Sequence, residues 1–286
     1  MRVAAIFSYW TLGVAFLLTP CGQSQAGEPK RNETQAPFQL VSGFLIEFKG
    51  DLGSLNALKF ILDTGVTHSV VDQKLAQKLG VHSRPKRIFA FDRQVRVEEG
   101  SFADVMFGPV HLTHVSMLVG NLKEFSTFAN GADAIIGSDL LSLTNFTIDY
   151  DKKTLIFQPL ERSPSLRQPH AVGLFLQLQL QGHPIELLLD TGIDGIVLFS
   201  DRLFKQIPNL LIQDSLEGVT VGRWSQATLA SLPAMYLGSK AIEGKVYLLQ
   251  GPPANAAPGI VGYLGTSSLK PHRIECDIAN NSFKWR

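Results

Sequence analysis

The sequence predicts an all-β chain built from one unit written twice. Three observations carry that expectation. Val, Ile, Phe and Leu recur in short runs broken by Gly, Pro, Asn and Asp, which is the punctuation of strands and turns. Long helical periodicity is scarce. An apolar run ending in Asp-Thr-Gly occurs twice, as Phe60-Ile61-Leu62-Asp63-Thr64-Gly65 and as Leu187-Leu188-Leu189-Asp190-Thr191-Gly192. Each copy is followed by a second shared pattern, Ala134-Ile135-Ile136-Gly137-Ser138 and Gly262-Tyr263-Leu264-Gly265-Thr266. Gly65 and Gly137 lie 72 positions apart, Gly192 and Gly265 73. Unrelated loops would not keep that register.

The first 26 residues are a different material. Arg2 precedes an apolar run from Val3 to Leu18, followed by Thr19-Pro20 and small or polar residues. That order is the one a secretory signal peptide has, and Ser24-Gln25-Ala26 fits small-x-small cleavage before Gly27. The expectation is therefore an exported chain, periplasmic or secreted. A membrane association would follow only if Cys21 were lipidated or the apolar segment retained. Removing the segment takes one arginine from 26 basic residues set against 25 acidic ones, which leaves the remainder neutral. Neither a nucleic-acid partner nor a highly charged substrate is indicated. With Cys21 gone, Cys276 stands alone and no internal disulfide can form.

Residues 27–37 are polar and aperiodic, so a flexible tether is expected there. Alternation begins at Phe38, with Phe44, Ile46 and Phe48 on one strand face. After the first motif, Asp72 is placed to cap a helix carrying Leu75 and Leu79, and Gly80 to stop it. In the second copy Ser200 takes the capping role, Leu203, Phe204 and Ile207 the apolar face, and Pro208 the stop. Residues 145–157 and 273–285 each form a strand, a polar turn and a strand. The polar, proline-bearing run 161–170 is a linker, giving lobes of 38–160 and 171–286.

Two Asp-Thr-Gly tripeptides at strand ends, each followed by a hydrophobic-hydrophobic-Gly pattern, resemble the aspartic protease superfamily. The short spacing and the stretch from Asp63 through Val71 are most similar to its retropepsin (retroviral-type) branch, with both halves in one chain. The resemblance implies an acid-protease fold, two retropepsin-like β-barrel lobes related by a pseudo-twofold axis around a cleft. It implies an aspartic endopeptidase in which Asp63 and Asp190 activate a water. Thr64, Gly65, Thr191 and Gly192 would then support the loops. It further implies an extended peptide or protein substrate, a monomer, and no cofactor or metal. Family members close a hairpin over the substrate, which by position would be 89–97, with Phe91 and Arg93, and 219–226, with Arg223 and Trp224. Residues 125–131 would line the opposite wall.

The chemistry follows from the residues themselves. Two carboxyl groups held close cannot both ionise, so they share a proton and can act as general base and general acid in one step. Glycine after the aspartate permits a tight turn that leaves backbone N–H groups free. Val66 and Ile193 stand where the family commonly has Ala, Ser or Thr, and are expected to crowd the turn. Asp194 adds a carboxylate four residues beyond Asp190, expected to face solvent. These departures keep a rival in view, a catalytically silent peptide-binding or scaffold protein of the same fold. His111 and His114, three apart on a strand, face opposite sides and offer no metal pair.

Overall fold

The computed structural model describes residues 33–90, 93–124, 131–159, 173–221, 225–252 and 256–286. The proposed signal segment 1–26 with Cys21, and the linker 161–170, lie outside these. The chain is mostly β, as expected. Its first half comprises β1 (Thr34–Val41), β2 (Leu45–Leu52), β3 (Leu55–Leu62), β4 (Val70–Asp72), α1 (Gln73–Lys78), β5 (Ser83–Ala90), β6 (Arg93–Phe107), β7 (Val110–Gly120), β8 (Ala134–Ile136), α2 (Ser138–Leu141), β9 (Thr144–Asp149) and β10 (Thr154–Pro159). The second half comprises β11 (Phe175–Leu180), β12 (His183–Asp190), β13 (Ile196–Phe199), α3 (Ser200–Gln206), β14 (Asp214–Val221), β15 (Ser225–Ser231), β16 (Met235–Leu237), β17 (Lys240–Ile242), β18 (Val246–Leu249), β19 (Gly262–Gly265), β20 (Arg273–Asp277) and β21 (Ser282–Trp285).

The repeat in the sequence is matched by a repeat in strand order. In the first half neighbours run β2-β3-β8-β4-β7-β6-β5, and in the second β11-β12-β19-β13-β18-β15-β14. The senses agree at every step. The aspartate-bearing strand lies parallel to the strand of the hydrophobic-hydrophobic-Gly pattern in both, Ile61 beside Ile135 and Leu188 beside Tyr263. That strand in turn lies antiparallel to the one leaving the loop, with Val70 opposite Ile135 and Val197 opposite Tyr263. Strands buried on both faces need continuous apolar runs, which explains Phe60-Ile61-Leu62 and Leu187-Leu188-Leu189, none of them more than 8% exposed.

One large core holds the fold. Phe48 packs edge-on to Phe60 and Phe107 and touches Phe157, with ring centroids 6.0 to 6.4 Å apart. Each such side chain contributes about 1.5–3 kcal/mol on burial. Cys276 is free and buried in the same core, without a disulfide among the described residues. Two smaller apolar clusters lie on the opposite sheet faces, around Ile61, Val70 and Ile135 and around Leu188, Val197 and Tyr263.

Two expectations need correction. The tether is shorter than 27–37, because β1 begins at Thr34 and Thr34–Pro37 pair with Phe157–Thr154. A ladder is made by backbone groups, so the polar side chains of that run did not prevent it. The hairpins of the two halves are joined as well, since β9 pairs antiparallel with β20, Phe146 opposite Cys276 and Asp149 opposite Arg273. Tyr150 adds to this seam, its N–H donating to the His272 carbonyl and its hydroxyl to Thr266 Oγ1. Asp72 caps α1 as expected, accepting from the Lys74 N–H, and Gly80 follows with φ of 66°. Ser200 does not cap α3. Phe199 holds that position, and the Ser200 hydroxyl donates to the Gln250 carbonyl.

Candidate active site

β3 carries the chain to Asp63 and β12 carries it to Asp190, so the two Asp-Thr-Gly loops meet. The threonines lock them reciprocally. Thr64 Oγ1 donates to the Leu189 carbonyl at 2.8 Å and accepts from the Thr191 N–H at 3.2 Å. Thr191 Oγ1 donates to the Leu62 carbonyl at 2.8 Å and accepts from the Thr64 N–H at 3.0 Å. Both threonines are sealed from solvent. Each hydroxyl thus satisfies a buried donor and a buried acceptor on the opposite loop, which a valine could not.

The glycines let the carboxyl groups approach. A Cβ on Gly65 would sit 2.2 Å from Asp190 Cγ, and one on Gly192 would sit 2.4 Å from Asp63 Oδ2. Each carboxyl therefore rests on the other loop's glycine, and the two carboxyls are hydrogen-bonded to one another. Asp63 Oδ1 accepts from the Gly65 and Val66 N–H groups, at 3.0 and 3.2 Å. Asp190 Oδ1 accepts from Gly192 at 2.7 Å.

Electrostatics follow from that geometry. Burial raises the pKa of Asp63, opposed by the bonds from Gly65, Asp190 and Val66. Burial raises Asp190 well above the ordinary aspartate range, and the charge of Asp63 raises it further. Both carboxyls are raised and titrate as one pair, with two backbone donors facing Asp63 and one facing Asp190. A pair that keeps one proton between two enclosed carboxyls can give and take a proton at the same atom site.

The residues behind the loops belong to neither repeated motif. Asp139, two positions beyond Gly137, accepts from the Ser69 N–H and from Ser69 Oγ at 2.6 Å. Ser69 Oγ in turn accepts from the Gly137 N–H at 2.9 Å. Burial raises the Asp139 pKa. The only hint in the sequence was a carboxylate placed next to the second pattern. The Val66 N–H serves Asp63 and its carbonyl accepts from the Ser138 N–H. Ile193 packs at the edge of the cluster around Tyr263. Asp194 is exposed and accepts from Ser267 Oγ.

The two hairpins expected to cover the site exist as backbone. β5 and β6 pair with Phe89 opposite Gln94 and Ala90 opposite Arg93, and β14 and β15 pair with Val221 opposite Ser225. Phe91, Arg223, Trp224 and most of the 125–131 wall lie outside the described residues, as does the side chain of Arg93. Among the described residues no group of three or more His, Cys, Asp or Glu side chains could hold a metal ion, and none of the helices is long and apolar enough to cross a membrane. His111 bonds Asp104.

No curated protein sequence matches the chain. Residues 48–140 do match a family model described as aspartyl protease. The matched segment holds Asp63-Thr64-Gly65, Ile135-Ile136-Gly137 and Asp139, and so supports an aspartyl protease family for this chain.

Proposed function

We propose that this chain is an exported, monomeric aspartic endopeptidase with two retropepsin-like lobes, and that Asp63 and Asp190 hydrolyse the peptide bond. The observation that supports this best is the reciprocal seat of each carboxyl on the other loop's glycine. Asp63, with two backbone N–H donors, acts as general base on a water held between the pair. Asp190, with its raised pKa, protonates the carbonyl oxygen of the scissile bond. The water attacks the carbonyl carbon, a tetrahedral diol forms, and the C–N bond breaks as a proton passes to the leaving nitrogen. The protein forms no covalent bond to the substrate. An extended peptide binds between the lobes by strand-like backbone pairing under the two hairpins.

The test is cleavage of a peptide library by the full chain and by Asp63→Asn and Asp190→Asn. Each variant is expected to lose hydrolysis while retaining the fold. A statine-containing peptide, which mimics the diol, should bind the native chain and bind either variant more weakly. Cleavage that survives both changes overturns the reading. Peptide binding without cleavage in the native chain gives the silent binding protein instead.

A further inference from the structure

The hairpin of β5 and β6 carries different charge on its two faces. β5 ends the larger sheet, paired with β6 on one side and with no strand on the other among the described residues. Residues two apart share a strand face. Ile88 and Val97 turn one face to the small apolar cluster around Ile61. Arg84 and Lys86 stand on that same face, and Glu99 neutralises both, at 3.3 and 2.7 Å. Arg87 and Arg96 stand on the other face, directly opposite one another in register.

Like charges facing each other across a ladder destabilise it, and this pair has no counter-charge. Both arginines are exposed, and neither has an ion pair or hydrogen bond among the described residues. Glu98, two positions from Arg96 and so on the same face, accepts from the Ser83 hydroxyl instead. The outer edge of β5 is open as well. The Asp104 carbonyl of β6 accepts from the Gly53 N–H, on the side of β2. Backbone groups alternate in direction along a strand, so the even-numbered residues of β6 point toward β2 and β5. Their partners in register are Ser83, Pro85, Arg87 and Phe89. The N–H and C=O groups of Arg84, Lys86, Ile88 and Ala90 therefore point out from the edge. Pro85, whose missing N–H could have blunted that edge, lies on the paired side. Charges commonly guard an exposed edge, but a guard needs no second arginine across the ladder.

We infer that the β5 edge is a docking site for an extended acidic segment of a partner protein, which adds to the sheet as a further strand. The outward backbone groups of β5 supply the ladder, and side chains supply the choice of partner. A strand laid beside β5 brings one side chain to about 5 Å from Arg87. A carboxylate at that position gives the arginine pair the counter-charge it lacks. The opposite face, already neutral at Glu99, takes uncharged side chains beside Lys86 and Ile88. The docking segment thus alternates acidic with uncharged residues. The inference is independent of the peptidase reading, although the same hairpin is the one proposed there to cover the site.

The test is binding of short fluorescein-labelled peptides to the full chain at physiological salt, read by anisotropy. Asp63→Asn is run in parallel so that cleavage cannot consume the probe. A peptide alternating Glu with Thr should bind, and one alternating Lys with Thr should not. Arg87→Gln together with Arg96→Gln should weaken binding by roughly 3- to 30-fold, the worth of two exposed ion pairs, and Arg84→Gln should leave it within about twofold. Arg87→Glu sets opposite charges across the ladder, so it should hold or raise the melting temperature while abolishing binding. N-methylation of every second backbone amide blocks strand addition in one phase only. One of the two methylated Glu peptides should therefore bind and the other should not. Failure of the Glu peptide to bind, or equal binding by Arg87→Glu, overturns the inference. Binding by both methylated peptides overturns it too, since charge alone would then suffice. Arg87-dependent binding to phosphatidylglycerol vesicles, without binding of the Glu peptide, overturns it in favour of a lipid surface.

Discussion

Behind Asp63 stands a partly buried carboxylate, and behind Asp190 an exposed one. Both loops need a tie to the segment that follows the second glycine, and both use a serine-carboxylate hydrogen bond, but the partners are exchanged. In the first half the serine is on the loop strand (Ser69) and the carboxylate is two residues past the glycine (Asp139). In the second the carboxylate is on the loop (Asp194) and the serine is two past the glycine (Ser267). Ser69 is fully buried and also accepts from Gly137, whereas Ser267 accepts from Gly195 at the surface. The same interaction therefore belongs to the core on one side and to solvent on the other. The catalytic carboxyls differ in parallel, two backbone donors on Asp63 against one on Asp190. Identical tripeptides have been given unequal hydrogen-bond surroundings.

The sharpest way to expose that inequality is to remove the charges one at a time. Asp63→Asn and Asp190→Asn should each lower kcat/KM for peptide cleavage by about 10²- to 10⁴-fold, the usual worth of a general acid or base. Gly65→Ala and Gly192→Ala should do the same, since either Cβ would meet the opposite carboxyl. Stability should separate the two aspartates. A carboxyl whose pKa is raised on folding contributes stability below its unfolded value and loses it as pH rises through the folded value. Asp190→Asn should accordingly melt higher than the native chain at pH 7. The gap should close as pH falls toward the ordinary aspartate value of 3.8. Asp63→Asn should gain less, because its two N–H donors lose an anion. Equal gains would mean that the two loops are electrostatically alike.

The next effect probes where the loops are alike. Thr64→Val and Thr191→Val each orphan a carbonyl and an N–H on the opposite loop, at a cost of about 1–3 kcal/mol by chemical denaturation. The two costs should match, because the bonds are reciprocal. The double variant should cost less than their sum, because both changes strip one shared network.

What the sequence made legible was local. Asp63, Asp190 and their Thr-Gly neighbours were visible because a tripeptide repeats, and α1 because Asp72 and Gly80 are strong end signals. The pairing of β9 with β20 was not visible, since the register of two hairpins more than a hundred residues apart depends on tertiary packing. The Asp139 tie was hidden for the same reason, with its partner 70 positions away. Ser200 shows the limit of local preference. Serine favours the cap position through a side-chain bond to the helix N–H groups, and here the Gln250 carbonyl takes that hydroxyl instead.

The smallest expected effect decides whether the exchanged serine-carboxylate ties carry unequal weight. Asp139→Ala removes the acceptor for the Ser69 hydroxyl and N–H and for the Leu140 N–H at 2.8 Å. Ser69 and Leu140 are buried, so their donors cannot turn to water, and the loss should be about 1–3 kcal/mol. Asp194→Ala removes an exposed acceptor whose serine partner is readily rehydrated, and should stay within about 0.5 kcal/mol. Loosening Ser69 also frees the Gly137 N–H beside the Asp63 loop. Asp139→Ala should therefore lower kcat for peptide cleavage with KM little changed, an effect that Asp194→Ala would not share. Equal stability losses would show that the tie works alike in solvent and in the core. A kcat loss in Asp194→Ala alone would place the critical support behind Asp190.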